Sequence, residues 1–128
     1  MTQYVDVEIY ADIICPWCYI GKKRLDAAFA ARPHITPRYI WRCFLLNPTM
    51  PSAGMDRHAY LIGKFGNAAR AVYGRIADAG LESGIAFNFD RIKRTPDSRK
   101  PHRYLLAATA RGQDLSDAFL FLSFSFSI

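Results

Sequence analysis

Three cysteines in 128 residues are too few for a secreted scaffold held by disulfides. No run of about 18 uncharged apolar residues occurs, which argues against a membrane-crossing helix. The opening Met1-Thr2-Gln3-Tyr4-Val5-Asp6 has neither the basic start nor the apolar stretch of a secretory leader, so the expected location is the cytoplasm. The histidines, His34, His58 and His102, show no paired ligand spacing, and Cys43 is the only cysteine outside the first pair. Half of any zinc site is therefore missing, and no metal is expected. The net charge of +6 comes from basic residues dispersed through helical segments, with small groups at Lys22-Lys23-Arg24 and from Arg91 to Arg103. Without a zinc finger, a recognition-helix pattern or an aromatic-basic repeat, these read as charged helix faces and not as a specific nucleic-acid surface. Nothing repeats internally. What is present, 51% hydrophobic and 22% charged residues, suits one globular unit with a real core.

The pair that carries chemistry is Cys15-Pro16-Trp17-Cys18. It joins the strand-like run Tyr4-Val5-Asp6-Val7-Glu8-Ile9-Tyr10 to a helical pattern that ends near Ala31. A helix N-terminus leaves N–H groups without intrahelical partners and carries about half a positive charge, so a thiolate there is favoured over a thiol. Cys15 is thus expected to be acidic, in the range of roughly 3.5–7.5. Counting from Pro16, Cys18, Gly21, Leu25, Ala28 and Phe29 share one face, with Lys22, Asp26 and Ala30 opposite, so Cys18 should turn toward the core. An exposed attacking sulfur and a shielded resolving sulfur one turn away are what dithiol exchange requires. Pro16 suits a first helical turn, where its missing N–H has no partner to lose. A purely structural crosslink of so short a loop would constrain little chain entropy.

The chain reads as β-α-β followed by helices: a strand over 4–11, a helix over 16–31 and a second, parallel strand over 38–46. Asn47-Pro48 and Pro51-Ser52-Ala53-Gly54 end that strand in a loop. Ile62, Phe65, Ala69, Val72, Ile76 and Ala79 then repeat at steps of three and four, with Asp56 as N-cap, Gly66-Asn67 as a break and Gly84 as the stop. Phe87-Asn88-Phe89-Asp90 should return two aromatics to the core, and Pro101 should open a last helix holding Leu105, Leu106, Ala108 and Ala110. Trp17 reads as an aromatic anchor at the strand-to-helix joint, with a place beside the reactive sulfur as its functional alternative. His58 and His102 read as surface or satisfied histidines. Cys43, on an apolar strand, reads as a buried inert thiol, a redox partner only if its Cα came within about 7 Å of another cysteine.

The segment Asp12-Ile13-Ile14-Cys15-Pro16-Trp17-Cys18-Tyr19-Ile20-Gly21-Lys22-Lys23-Arg24-Leu25 resembles the DsbA-like thioredoxin-fold family, in particular its cytosolic FrnE-like branch. Trp41-Arg42-Cys43-Phe44-Leu45-Leu46-Asn47-Pro48 is similar to that family's second-strand segment, with Cys43 where proline is usual and Leu45 where a polar residue is common. Gly54-Met55-Asp56-Arg57, Lys64-Phe65-Gly66, Phe87-Asn88-Phe89-Asp90-Arg91-Ile92, Arg94-Thr95-Pro96 and His102-Arg103 resemble the branch's helical insertion. The resemblance implies a thioredoxin-like α/β fold and a thiol-disulfide oxidoreductase. Its catalytic residues would be Cys15 and Cys18, supported by Pro16 and Trp17. It implies no metal or organic cofactor, and a thiol or disulfide of a protein, or of a small thiol such as glutathione, as substrate.

Agreement with the family runs to about Asp117, and the second half that supplies relatives with further strands and a cis-proline loop has no counterpart. The expectation is a domain truncated at its C-terminus, divided into a β-α-β half (1–50), a helical insertion (51–117) and an aberrant tail (118–128) in which Phe alternates with Ser. Loss of the later strands should leave an edge of the first strand unpaired. Two other readings stand beside the first. One is a glutathione-dependent isomerase of the 2-hydroxychromene-2-carboxylate type, whose members typically carry serine where Cys15 stands. The other is an inactive fragment that associates with itself through the free edge or the tail.

Overall fold

A computed structural model of the chain describes residues 1–114 together with Asp117 and Leu120. The expected Phe/Ser tail therefore lies, Leu120 apart, outside the described residues. Strand β1 is Gln3–Ala11, helix α1 Pro16–Ala30 and strand β2 Ile35–Cys43. Strand β1 alternates as a half-covered strand must: Val5, Val7, Ile9 and Ala11 turn inward, while Tyr4, Asp6, Glu8 and Tyr10 face out. It runs parallel to β2 in a register from Gln3↔Ile35 to Ala11↔Cys43. On the outer face Arg38 meets Asp6 at 2.7 Å and Arg42 meets Glu8 at 3.3 Å, exposed pairs that help register more than stability. Among the described residues β1 pairs with β2 alone.

After β2 come strand β3 (Met55–Asp56), helix α2 (Arg57–Phe65), a 3-10 turn (Gly66–Ala68), helix α3 (Ala69–Glu82), a second such turn (Phe89–Arg91), strand β4 (Arg94–Thr95) and helix α4 (Arg99–Ala110). The Asp56 carboxylate caps α2 by accepting the Ala59 N–H at 2.9 Å, and the chain breaks at Gly66. Helix α3 stops just before Gly84, at φ +78°, as the sequence suggested. Ile62 is exposed, against the periodic expectation. The antiparallel pairing of β3 with β4 had no signal, because two-residue strands carry no period.

The core joins both parts of the chain. Ala11, Ile13 and Ile14 from the end of β1, Tyr19 and Ile20 of α1 and Trp41 of β2 pack with Ile76 of α3, Ile85, Leu105 of α4 and Leu120. Phe87 and Phe89 stack at 4.7 Å and carry the link after α3 onto this core, edge-on to Tyr19 and Tyr73 respectively. Gly80 is the close approach that admits them, since a Cβ there would lie 2.5 Å from the Phe87 ring.

Three sequence readings need correction. The second strand begins and ends three residues earlier than expected. Helix α1 turns Tyr19, Ile20 and Lys22 inward, and Gly21 and Ala28 outward. Lys22 is 4% exposed because its charge is matched on the spot: Nζ lies 2.9 Å from Asp26, 3.1 Å from Asp117 and 4.3 Å from the Tyr39 ring centre. Burial opposes the ammonium, yet the two carboxylates outweigh it and raise its pKa. Cys43 is exposed, not buried, because the inward face of β2 ends at Trp41 and the chain turns out through exposed Phe44.

Gly54 precedes β3 at φ +73°, and a Cβ on it would lie 2.6 Å from the carbonyl oxygen of Thr95. Backbone cannot yield as a side chain can, and the conformation itself disfavours an L residue. Gly54→Ala is expected to destabilise the fold by about 1–3 kcal/mol. Urea unfolding measures it, and an unchanged midpoint contradicts this account of the turn.

Candidate functional site

Cys15 is the N-cap of α1. Its backbone is extended (φ −99°, ψ 107°), and its Sγ accepts the Cys18 N–H at 3.3 Å, as a serine or aspartate oxygen does at other caps. The tight turn before it is closed by the Cys15 N–H donating to the Asp12 carbonyl at 3.1 Å. Pro16 follows at the first helical position, where no N–H is needed. The motif thus aims a sulfur at unsatisfied N–H groups, and the chemistry follows from that placement.

The Cys15 thiol is lowered to about 7. The largest cause is the hydrogen bond from the Cys18 thiol; burial opposes it, the N–H groups of Cys18 and Trp17 assist, and the Asp12 charge opposes. Cys18 moves the other way. The Cys15 sulfur beside it and its own burial push its pKa far up, against a favourable bond from the Asp12 N–H. At pH 7 about half of the molecules therefore carry a thiolate on Cys15, and in these the pair's one remaining proton is on Cys18. Both sulfurs are partly buried, and Cys18 packs against the core. Trp17 stands 50% exposed beside them, so it lends a backbone N–H and an open aromatic face, and it is not the core anchor its position suggested.

Behind the thiols lies a polar group that the sequence reading did not assign. Asp12 is fully buried in the turn after β1. Its carboxylate accepts the Leu46 N–H at 2.9 Å and the Ile14 N–H at 3.4 Å, and Oδ1 lies 3.2 Å from His102 Nε2. The Trp41 indole, which can only donate, points Nε1 at His102 Nδ1 at 3.4 Å. Nδ1 must then accept, so in the neutral ring the proton sits on Nε2 and is donated to Asp12. Burial opposes the Asp12 charge. Bonds from His102, Leu46 and Ser98 overcome it and hold the carboxyl below its ordinary range.

His102 is therefore the satisfied histidine expected, but satisfied by the residue three places before Cys15. Asp12 belonged to the Cys15 motif and could have been noticed; nothing local marks His102 or Trp41. His58 and His34 are exposed, and Cys43, also exposed, pairs with Ala11 at the end of the β1–β2 ladder that leads into the Asp12 turn, its thiol raised by partial desolvation and by the Asp12 charge. Among the described residues no three His, Cys, Asp or Glu side chains form a metal-ligand group, and no helix is long and apolar enough to cross a membrane.

The model of the DSBA-like thioredoxin domain matches residues 6–122. A solved structure, that of a probable DsbA oxidoreductase from Streptomyces coelicolor, superposes with a TM-score of 0.83 at 32% sequence identity. The match covers 96% of this chain and 55% of that one, so the chain spans about half the length of the protein it resembles. No curated protein matches.

Because the Asp12 charge opposes thiolate formation, Asp12→Asn is expected to lower the Cys15 pKa further below about 7, while weakening the fold by roughly 1–3 kcal/mol through lost charged hydrogen bonds. Thiolate absorbance against pH reads the first effect. A pKa that rises instead contradicts the electrostatic assignment.

Proposed function

Because the chain belongs to the DSBA-like thioredoxin domain family, we propose that it exchanges disulfides through the Cys15-Pro16-Trp17-Cys18 centre. The observation that carries this reading is the Cys15 sulfur at the α1 cap, with a pKa of about 7 beside a partner held protonated. The Cys15 thiolate attacks one sulfur of a substrate disulfide. That S–S bond breaks, a mixed disulfide forms, and the other substrate sulfur leaves as thiolate. Cys18 then gives up its proton and attacks Cys15 Sγ, releasing the second substrate thiol and closing the Cys15–Cys18 bond. Two electrons have passed to the substrate; run backwards, the closed pair oxidises a dithiol.

The proton inventory makes the roles unequal. A thiolate of low pKa is both available as an attacker and a good leaving group when a mixed disulfide is resolved. Cys18 is a poor nucleophile until its partner is engaged, because its hydrogen bond to the Cys15 sulfur, its own burial and the negative charge on Cys15 all raise its pKa. Once Cys15 is bound in a mixed disulfide that charge is gone, and Cys18 is freed to ionise. Substrate capture thus arms the resolving step. No metal or organic cofactor enters the scheme. Pro16 and Trp17 support it, one by fixing the first turn and the other by its N–H and exposed ring.

Within the family, we read the chain as FrnE-like, cytoplasmic, and acting on protein or small thiols such as glutathione. The support is the resemblance of Gly54-Met55-Asp56-Arg57, Lys64-Phe65-Gly66 and Phe87–Ile92 to that branch, in stretches that here begin α2, end it and link α3 to β4. The same support favours a division into a thiol-bearing half over 1–50 and a helical insertion over 51–117. Cysteine on both sides of the motif favours redox chemistry over the isomerase reading.

Cys15→Ser is expected to abolish exchange with a small disulfide, and Cys18→Ser to accumulate mixed disulfides visible by mass spectrometry. The wild-type rate should rise with pH as the thiol ionises, half-maximal at about 7, and level off above. Normal turnover by Cys18→Ser contradicts the assigned roles.

A further inference from the structure

The helical segment after β2 carries a half-open cavity of about 790 Å³, within the range of roughly 300–1,000 Å³ typical of small-molecule sites. Neither Cys15 nor Cys18 lines it. Its walls come from α2, α3 and the link to β4, with Tyr73, Phe87 and Phe89 among them, and Arg57 lines it from the first turn of α2.

Arg57 is 8% exposed, and its surroundings account for only part of it. Nη1 donates to Thr95 Oγ1 at 3.1 Å, and the guanidinium stacks 4.9 Å from the centre of the Tyr73 ring. Its backbone is fixed as well, by its N–H to the Lys93 carbonyl at 3.0 Å. Nε and Nη2, both buried, have no hydrogen-bond partner among the described residues. Those two atoms form one edge of the planar group, the edge that grips both oxygens of an anion at once. Leaving them bare costs more than a hydrogen bond returns. Two carboxylates, Asp56 and Asp90, line the same cavity, yet neither bonds to that edge; Asp56 is committed to its cap. Arg70 and Lys93, exposed cations, add positive charge to the walls.

We propose that this cavity binds a small carboxylate carried on an apolar or aromatic body, with the two oxygens on Arg57 Nε and Nη2 and the body against Tyr73, Phe87 and Phe89. The site is independent of the thiol reading, since no sulfur takes part. Stacking on Tyr73 and the bond to Thr95 fix the guanidinium before the ligand arrives, and the side chains that cover Nε and Nη2 must shift for the two oxygens to reach them.

The test uses the full chain with 3-phenylpropanoate, its uncharged amide and inorganic phosphate. Calorimetry gives affinity, and the side-chain Nε–H resonance of Arg57 in ¹⁵N spectra reports on the edge itself. The acid is expected to saturate at concentrations on the order of millimolar and to shift the Arg57 resonance. The amide, and the acid with Arg57→Lys, which keeps the charge but loses the fork, should each bind at least about tenfold more weakly. If Arg57→Lys fails to fold, Arg70→Gln, on an exposed residue, should weaken the acid and leave the amide unaffected. Acid and amide binding alike, an unmoved Arg57 resonance at saturation, or no saturation by about 10 mM overturns the proposal. Phosphate binding as well as the acid overturns the apolar part of it and assigns a bare oxyanion site.

Discussion

The Asp12 carboxylate is the interaction on which the rest of the site depends. Three segments meet at this one buried group: the turn that leads into α1, the loop at Leu46, and α4 through its cap residue Ser98 and through His102, itself held by Trp41 of β2. A buried charge is tolerated only where hydrogen bonds replace water, and here they are drawn from both parts of the chain. The turn that positions Cys15 is closed on the backbone carbonyl of the same residue. Moving Asp12 would therefore disturb the docking of α4 and the approach of the reactive sulfur together.

The same residue sets a tension in the chemistry. The helix cap and the Cys18 thiol stabilise the Cys15 thiolate, and the nearby Asp12 charge opposes it. The outcome, a thiol near pH 7, lies between a sulfur fully ionised and one inert at neutral pH. A thiol with a pKa close to ambient is also the best compromise between thiolate fraction and nucleophilicity. Structure and reactivity are thus linked through the electrostatics of one buried carboxylate.

Local features of this arrangement were legible in the sequence because they rest on neighbours. Alternation from Tyr4 to Tyr10, proline after Cys15 and two thiols three positions apart mark β1, the start of α1 and the cap. Asp56 and Gly84 marked helix ends for the same reason. What escaped depends on distant partners. Lys22 is buried only because Asp26, Tyr39 and Asp117 converge on it, which no periodicity reveals. His102 and Asp12 are 90 positions apart, and the histidine gains its place from α4 docking, not from its own surroundings in sequence. Cys43 followed the apolar pattern of β2 but falls where the covering core ends.

The most direct test of the account is the rate of iodoacetamide alkylation of the reduced chain as a function of pH, resolved by mass spectrometry into Cys15, Cys18 and Cys43. A formed cap predicts that Cys15 titrates at about 7 and reacts first, with Cys18 and Cys43 slow across the neutral range. Three thiols that react alike, each near the free value of about 8.5, would contradict it, because the helix terminus that separates Cys15 from its partner would then not be in place.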